Sequence, residues 1–234
     1  MKVFYDLHIH SALSPCGDED MTPNNIVNMS LLKGLDVIAV TDHNSCGNVR
    51  AVMGAAAGRI LVLPGMEVET TEEVHILCYF PSIKQAEQME KMIRENRPVI
   101  KNRPDIFGRQ LYFDTQDRIV GEEETLLVAS SGLSIEQVFS YARKIGGIPV
   151  PAHIDRTSYS VLSNLGFLPP ELQTSAVEIT AVNRKTMEKD YQEQYILTSS
   201  DAHYLGDISE PVWYMDITTK SEKEILEKLT KKIC

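Results

Sequence analysis

Asp36-Val-Ile-Ala-Val-Thr-Asp-His43 is the stretch on which the fold turns. Residues 36–41 form a near-continuous β-branched run without polar alternation, the pattern of a parallel strand covered on both faces. Immediately past it stand an aspartate and a histidine. In βα-barrels, side chains at the C-terminal ends of parallel strands gather at one mouth, and that is where the chemistry sits.

The same alternation runs outward from this strand in both directions. Residues 2–7 read as a short buried strand, and 22–33 as a helix with Thr22 as N-cap, Pro23 at the first helical position and Gly34 as its stop. Downstream, helices are expected near 48–57 and 82–95, with strands at 60–69 and 74–80. Residues 96–124 break the rhythm: they are rich in Arg, Asp and Gln, and predict an irregular insertion, a hairpin or lid over one end. Order resumes with a helix at 134–145 and a strand at 148–152, then a helix near 158–165. Strands are expected at 176–180, 195–198 and 212–217. Ser221 and Glu224 predict a capping box opening the last helix. A chain of 234 residues is within reach of a single α/β barrel, so one domain over 1–234 is expected.

Composition narrows the function classes. A hydrophobic fraction of 43% supports a sizeable core, and no apolar run is long enough to span a membrane. The N-terminus reaches charge within six residues, unlike a signal peptide, and the four cysteines at 16, 46, 78 and 234 form no CxxC pair. Together these predict a cytoplasmic protein with no membrane partner. The formal net charge of −10 argues against a broad electrostatic grip on nucleic acid, so no long duplex is expected as a partner. A small phosphorylated substrate remains compatible, because two or three divalent ions would add about +4 to +6 within one cleft.

All six histidines fall in motifs suited to metal. His8 and His10 are two apart on a strand, so both rings leave the same face. Asp42-His43 and Asp201-Ala-His203 place carboxylate and imidazole at strand ends, and Glu67 follows a strong apolar strand. His75 and His153 complete the set. Singly, each has an ordinary alternative, such as a turn-forming aspartate, a surface glutamate or a satisfied core histidine; six such coincidences together do not account for the whole histidine stock.

Taken in order, Asp6-Leu-His-Ile-His10, Thr41-Asp-His43, Glu67, His75, Pro151-Ala-His153 and Ser200-Asp-Ala-His203 resemble the motif series of the PHP (polymerase and histidinol phosphatase) family, from Asp6 to His203. The resemblance implies an α/β fold, a distorted seven-stranded βα (TIM-like) barrel with a metal site at the C-terminal mouth, and the activity of a metal-dependent phosphoesterase. Carried over position by position, a first ion would take His8, His10, Glu67 and Asp201, and a second Glu67, His75 and His153, with Glu67 bridging. A third would take His43, His203 and a residue of the opening loop. Cys16 stands where several relatives have a histidine, with Asp18 two residues on; a Cys16 thiolate would favour zinc or Fe(II) over harder ions.

The cofactors implied are two to three divalent transition-metal ions, Zn, Mn or Fe. The implied reaction is in-line attack on phosphorus by a hydroxide shared between ions. Glu67 and Asp201 would serve as the carboxylates of the reacting centre, and His43 and His203 as groups able to protonate the leaving group. Arg156 is similar to the family's phosphate clamp, with a local alternative of pairing to Asp155, and Arg103 and Arg109 in the insertion are further basic candidates. Suitable substrates include a nucleotide, an oligonucleotide end or a histidinol phosphate-like ester. Two rivals stay open: an amidohydrolase-type C–N hydrolase, which often carries a bridging lysine, and a non-catalytic metal-binding regulatory domain.

Overall fold

The computed structural model of the chain describes residues 1–230. Its elements follow the predicted alternation: β1 (Lys2–Ile9), α1 (Pro23–Leu32), β2 (Val37–Val40), α2 (Val49–Ala56), β3 (Leu61–Glu69), β4 (His75–Tyr79) and α3 (Ile83–Asn96). The irregular insertion holds a one-turn helix α4 (Pro104–Phe107) and a small hairpin, β5 (Leu111–Phe113) with β6 (Ile119–Glu122). Then come α5 (Ile135–Lys144), β7 (Ile148–Pro151), α6 (Val161–Leu165), β8 (Ala176–Glu178), α7 (Arg184–Met187), β9 (Tyr195–Leu197), β10 (Tyr214–Asp216) and α8 (Glu222–Thr230).

The helix ends show which local signals act. At α1 the Thr22 side chain makes no capping bond, so Pro23, with its fixed φ, sets the start. Gly34 closes that helix at φ +76, its N–H donating to the Leu31 carbonyl. At α5, Ser134 and Gln137 form a complete capping box. The box expected at α8 is half formed: Ser221 Oγ accepts from the Glu224 N–H, while the Glu224 carboxylate accepts from Thr218 and Thr219.

Six strands form one continuous ladder in the order β10-β1-β2-β3-β4-β7. The central β1, β2 and β3 are parallel, as the apolar run at 36–41 required. β4 is antiparallel to both β3 and β7, and β10 is antiparallel to β1. β8 and β9 make a separate parallel pair. The ladder is thus six strands plus two, where a seven-stranded barrel was expected. A few contacts cross the gaps: the Ile154 N–H donates to the Glu178 carbonyl, the His10 N–H to the Ala202 carbonyl and the Ala202 N–H to the His8 carbonyl.

The core joins the six-stranded ladder to the β8–β9 pair. One apolar cluster draws Tyr5 and Leu7 from β1, Val37 and Ala39 from β2 and Leu63 from β3, together with Tyr79, Val150, Ala176 and Leu197 from β4, β7, β8 and β9. Tyr79 reaches across this interior and its hydroxyl donates to the Leu7 carbonyl at 2.8 Å. A buried phenol without that acceptor would cost about 1–3 kcal/mol. Two further apolar clusters pack the other strand faces against the helices. No helix among the described residues is long and apolar enough to cross a membrane.

Candidate metal centre

The strands deliver their polar ends to one place. His8 comes from the last turn of β1, His43 follows β2, Glu67 lies near the end of β3, and His75 opens the antiparallel β4. His153 and Asp201 follow β7 and β9 in the left-handed backbone region, at φ +28 and +54. Such conformations are uncommon for residues with a side chain and persist where the surroundings over-determine them.

Glu67 is the hub. It is fully buried, and its carboxylate meets five imidazoles. Oε1 lies 3.4 Å from His8 Nε2, 3.0 Å from His75 Nδ1 and 3.3 Å from His153 Nε2. Oε2 lies 3.4 Å from His10 Nε2 and 3.1 Å from His43 Nδ1. Burial alone would raise this carboxyl, but the charges of His75, His8 and His43 reverse the effect and hold it well below the usual carboxylate range.

Three sets of side chains come within ligand distance among the described residues: His8, His10 and Asp201; His43, Glu67 and His75; His10, His43 and His203. In the first, His8 Nε2 and His10 Nε2 are 3.2 Å apart, and each is 3.1 Å from Asp201 Oδ1. Four ligands at ~2.0 Å around a tetrahedral zinc stand roughly 3.3 Å from one another, so this triangle has the size of one ion's coordination face. Asp201 Oδ1, His43 Nδ1 and His153 Nδ1 are buried without a hydrogen-bond partner. Buried polar atoms are nearly always satisfied, and a cation would supply what the chain leaves out here. The donor set, imidazoles with carboxylates, suits a divalent transition metal.

The rings are held from behind. His8 Nδ1 lies 3.0 Å from Glu178 Oε2, so Nδ1 carries the proton and Nε2 is left free towards the cluster. Glu178 also accepts the His153 N–H. Ser14 Oγ donates to Asp42 Oδ1 and accepts from the His43 N–H, which leaves it accepting from His10 Nδ1 at 2.9 Å and again frees Nε2. Burial opposes charge on His8, but Asp201, Glu178 and Glu67 overcome it and raise it well above its ordinary value. His10 and His75 are raised in the same sense, while burial lowers His43, so metal binding at the raised rings would displace protons.

Asp6 and Asp42 brace the centre rather than face it. Asp6 accepts from the Ser200 N–H and hydroxyl and from the Ser209 N–H, fixing the loop that carries Asp201. Asp42 accepts from Ser11 and Ser14. Sequence reasoning missed Glu178 and Ser14. Glu178 acts on a ring 170 residues away, and Ser14 ties His10 to Asp42 and the His43 N–H; only Glu178's place at the end of an expected strand could have pointed to it.

Other expected positions move. His203 joins His43 through His10, not through Cys16; Cys16 and Asp18 fall outside every set above. Cys16 is exposed as a residue, yet desolvation of its thiol and the negative field of Glu67 push it up to about 12. His153 reaches Glu67 but joins none of the three sets. Arg156 lies at the mouth, its Nη1 2.5 Å from Asp201 Oδ2. It does not pair with Asp155, which accepts instead from Thr180 and Asn183. Arg103 and Arg109 are engaged by Asp105 and Glu122 on the exterior.

A PHP domain family model matches residues 6–233. An uncharacterised protein of Methanocaldococcus jannaschii is 26% identical over 194 residues, covering 82% of this chain and 21% of that protein. A 5'-3' exoribonuclease of Haemophilus influenzae is 30% identical over 104 residues, covering 41% of this chain and 37% of its own. The chain therefore spans well under half of these curated relatives. Among solved structures, the lesion-specific endonuclease PfuEndoQ of Pyrococcus furiosus matches with a TM-score of 0.71 at 18% identity, over 98% of this chain and 56% of that one. An Endonuclease Q complex with a 27-mer duplex carrying an abasic lesion at its active site matches with a TM-score of 0.69 at 18% identity, over 97% and 56%.

That complex overturns the expectation that long duplex nucleic acid is excluded. The expectation rested on net charge, which is a sum over the whole surface; duplex engagement depends on the potential at the contact face, and a protein of this fold makes it. From the family match over residues 6–233, the chain belongs to the PHP domain family.

Proposed function

We propose that the chain is a metal-dependent phosphoesterase acting on a nucleotide or a nucleic-acid end. The observation that carries this reading is the buried Glu67 carboxylate within 3.4 Å of five imidazoles, beside an Asp201 that divides its oxygens between two histidines and Arg156. On this reading His8, His10, Glu67 and Asp201 hold one ion, Glu67, His75 and His153 a second, and His43 with His203 a third, two to three ions in all. Bound divalent metal supplies Lewis-acid charge to a phosphate ester and lowers the proton affinity of attacking water.

The chain's own residues do the rest. Glu178 and Ser14 hold His8 and His10 in one tautomer. Arg156, with its side chain 45% exposed, turns its remaining donors to the mouth, where a phosphate oxygen can take them. His203 is a quarter exposed, and burial and the nearby His10 lower its pKa to about 4. It is therefore neutral near pH 7, and with Nδ1 donating to the Asp201 carbonyl its Nε2 is free to serve as a ligand.

Counted through the few contacts that cross the gaps, β1, β2, β3, β4, β7, β8 and β9 are the seven staves of a distorted barrel, with the described residues as one unit. The names of the endonuclease and exoribonuclease relatives favour a nucleotide or nucleic-acid ester over a histidinol phosphate-like one. The amidohydrolase reading loses ground because no lysine lines the cavity at the cluster.

The test is a phosphoester panel of p-nitrophenyl phosphate, nucleoside monophosphates and single-stranded oligonucleotides, assayed with Mn, Fe(II) and Zn. Hydrolysis abolished by chelation and restored by metal is expected. Stoichiometric metal binding with no turnover of any ester would establish the non-catalytic reading instead.

A further inference from the structure

A second cavity, of about 260 Å³, adjoins the cluster and shares His153, Arg156 and Asp201 with its mouth. Its far wall is made by Asp207, Ser209 and Trp213. This volume is just below the roughly 300–1,000 Å³ of pockets that take drug-sized ligands, so it suits one ring system rather than an extended chain.

The wall is chemically specific. Asp207 is exposed, and no cation or hydrogen bond holds its carboxylate among the described residues. Among the described residues, the Ser209 hydroxyl and the Trp213 indole N–H likewise make no side-chain hydrogen bond. Trp213 is the chain's single tryptophan, and the Arg184 guanidinium stands 4.7 Å from its ring centroid, fixing the ring beside the cavity. The loop is pinned at the Ser209 N–H by Asp6, the same carboxylate that anchors the Asp201 segment. Cavity wall and metal cluster therefore share one rigid support.

We infer that this cavity is a base-binding subsite that receives guanine when the phosphate of the same substrate lies under Arg156. The inference rests on the phosphoesterase reading and names its substrate. An ionised carboxylate is acceptor-only, with two oxygens. Guanine offers two adjacent N–H donors, at N1 and the 2-amino group, which match that pair; adenine, cytosine and uracil each offer one group on the corresponding edge. An aromatic side chain in the wall takes the π-face of the base.

The single tryptophan makes the test direct. Guanosine, which has no phosphate to hydrolyse, is titrated into the metal-reconstituted protein while Trp213 fluorescence is followed. The expected result is saturable quenching, weaker for cytidine and uridine, with the dissociation constant for guanosine raised about 10-fold or more in Asp207→Ala, the loss of hydrogen bonds to a charged group. Asp207 sits on an exposed turn, so that variant keeps the core intact. Absence of saturable quenching, or equal affinity in Asp207→Ala, would overturn the subsite.

Kinetics separate this inference from the reading beneath it. The ratio of kcat/KM for GMP to that for methyl phosphate should fall about 10-fold in Asp207→Ala, and an unchanged ratio counts against the subsite. Guanosine binding with no hydrolysis of these two esters or of the single-stranded oligonucleotides would sink the phosphoesterase reading and leave the subsite standing.

Discussion

Glu178 does for His8 what Ser14 does for His10: each accepts a hydrogen bond from Nδ1–H and thereby points Nε2 at the cluster. Carboxylates in this position typically change metal affinity by about 10–100-fold when altered. Glu178→Gln should therefore weaken binding of the first ion by about that factor, measured by competition with a chelating dye, with the circular dichroism spectrum unchanged. Unaltered affinity would reduce Glu178 to a prop for the His153 backbone. Arg156 belongs to the same scale and tests a different step. Arg156→Ala should lower kcat/KM by roughly 30- to 1000-fold, the loss of about 2–4 kcal/mol of charge-assisted contact, mostly in KM and with metal content intact. Near-wild-type kinetics would move the phosphate contact elsewhere. The histidines were legible because each carries its chemistry in its own letter and stands in a short motif. Glu178 and Ser14 were not, because their role exists only through rings 170 and 4 residues away that the fold turns towards them.

Among the elements, the strands were legible for a physical reason. Val37–Val40 is buried at every position, and a strand buried on both faces has to be apolar throughout. The insertion at 96–124 has no such constraint. Its hairpin is fixed by buried side chains of other segments: Asn48 Nδ2 donates to the Leu111 carbonyl and the Ser11 hydroxyl, and Asn48 Oδ1 accepts from the Phe113 N–H. Gln110 bonds back to Glu123, Thr125 and Leu127 in the same way. No periodicity encodes this, so only a break in the alternation was visible. Asn48→Ala would leave a buried carbonyl and a buried N–H bare, at about 1–3 kcal/mol each. For a chain of this size roughly 2–4 °C of Tm accompanies each kcal/mol, so a fall of about 5–15 °C is expected by thermal denaturation. A change of about a degree would show that the hairpin does not depend on this anchor. The insertion also packs on the opening loop, where a Cβ at Gly108 would stand 2.1 Å from the Pro15 carbonyl oxygen at φ +97. Its position is thus tied to the segment carrying Ser14 and Cys16.

For the whole molecule the governing quantity is the separation of surface charge from site charge. The chain carries a formal −10, and exposed arginines such as Arg103, Arg109 and Arg118 stand beside Asp105, Glu122 and Asp114. At the mouth itself the basic side chain is Arg156, to which any ions held by the cluster would add positive charge. A duplex engaged through that mouth would have few phosphates neutralised, and each contributes a slope of roughly −0.9 to the dependence of log affinity on log salt. If the metal-loaded chain engages a labelled duplex in this way, anisotropy followed from about 50 to 200 mM KCl gives a shallow slope of about −1 to −3. Arg156→Ala should reduce that slope by about one, because it removes a single phosphate contact. A slope of about −6 or steeper would mean that several lysines or arginines away from the mouth meet the backbone, and charge concentrated at the mouth would then be the wrong account of how an acidic chain holds nucleic acid.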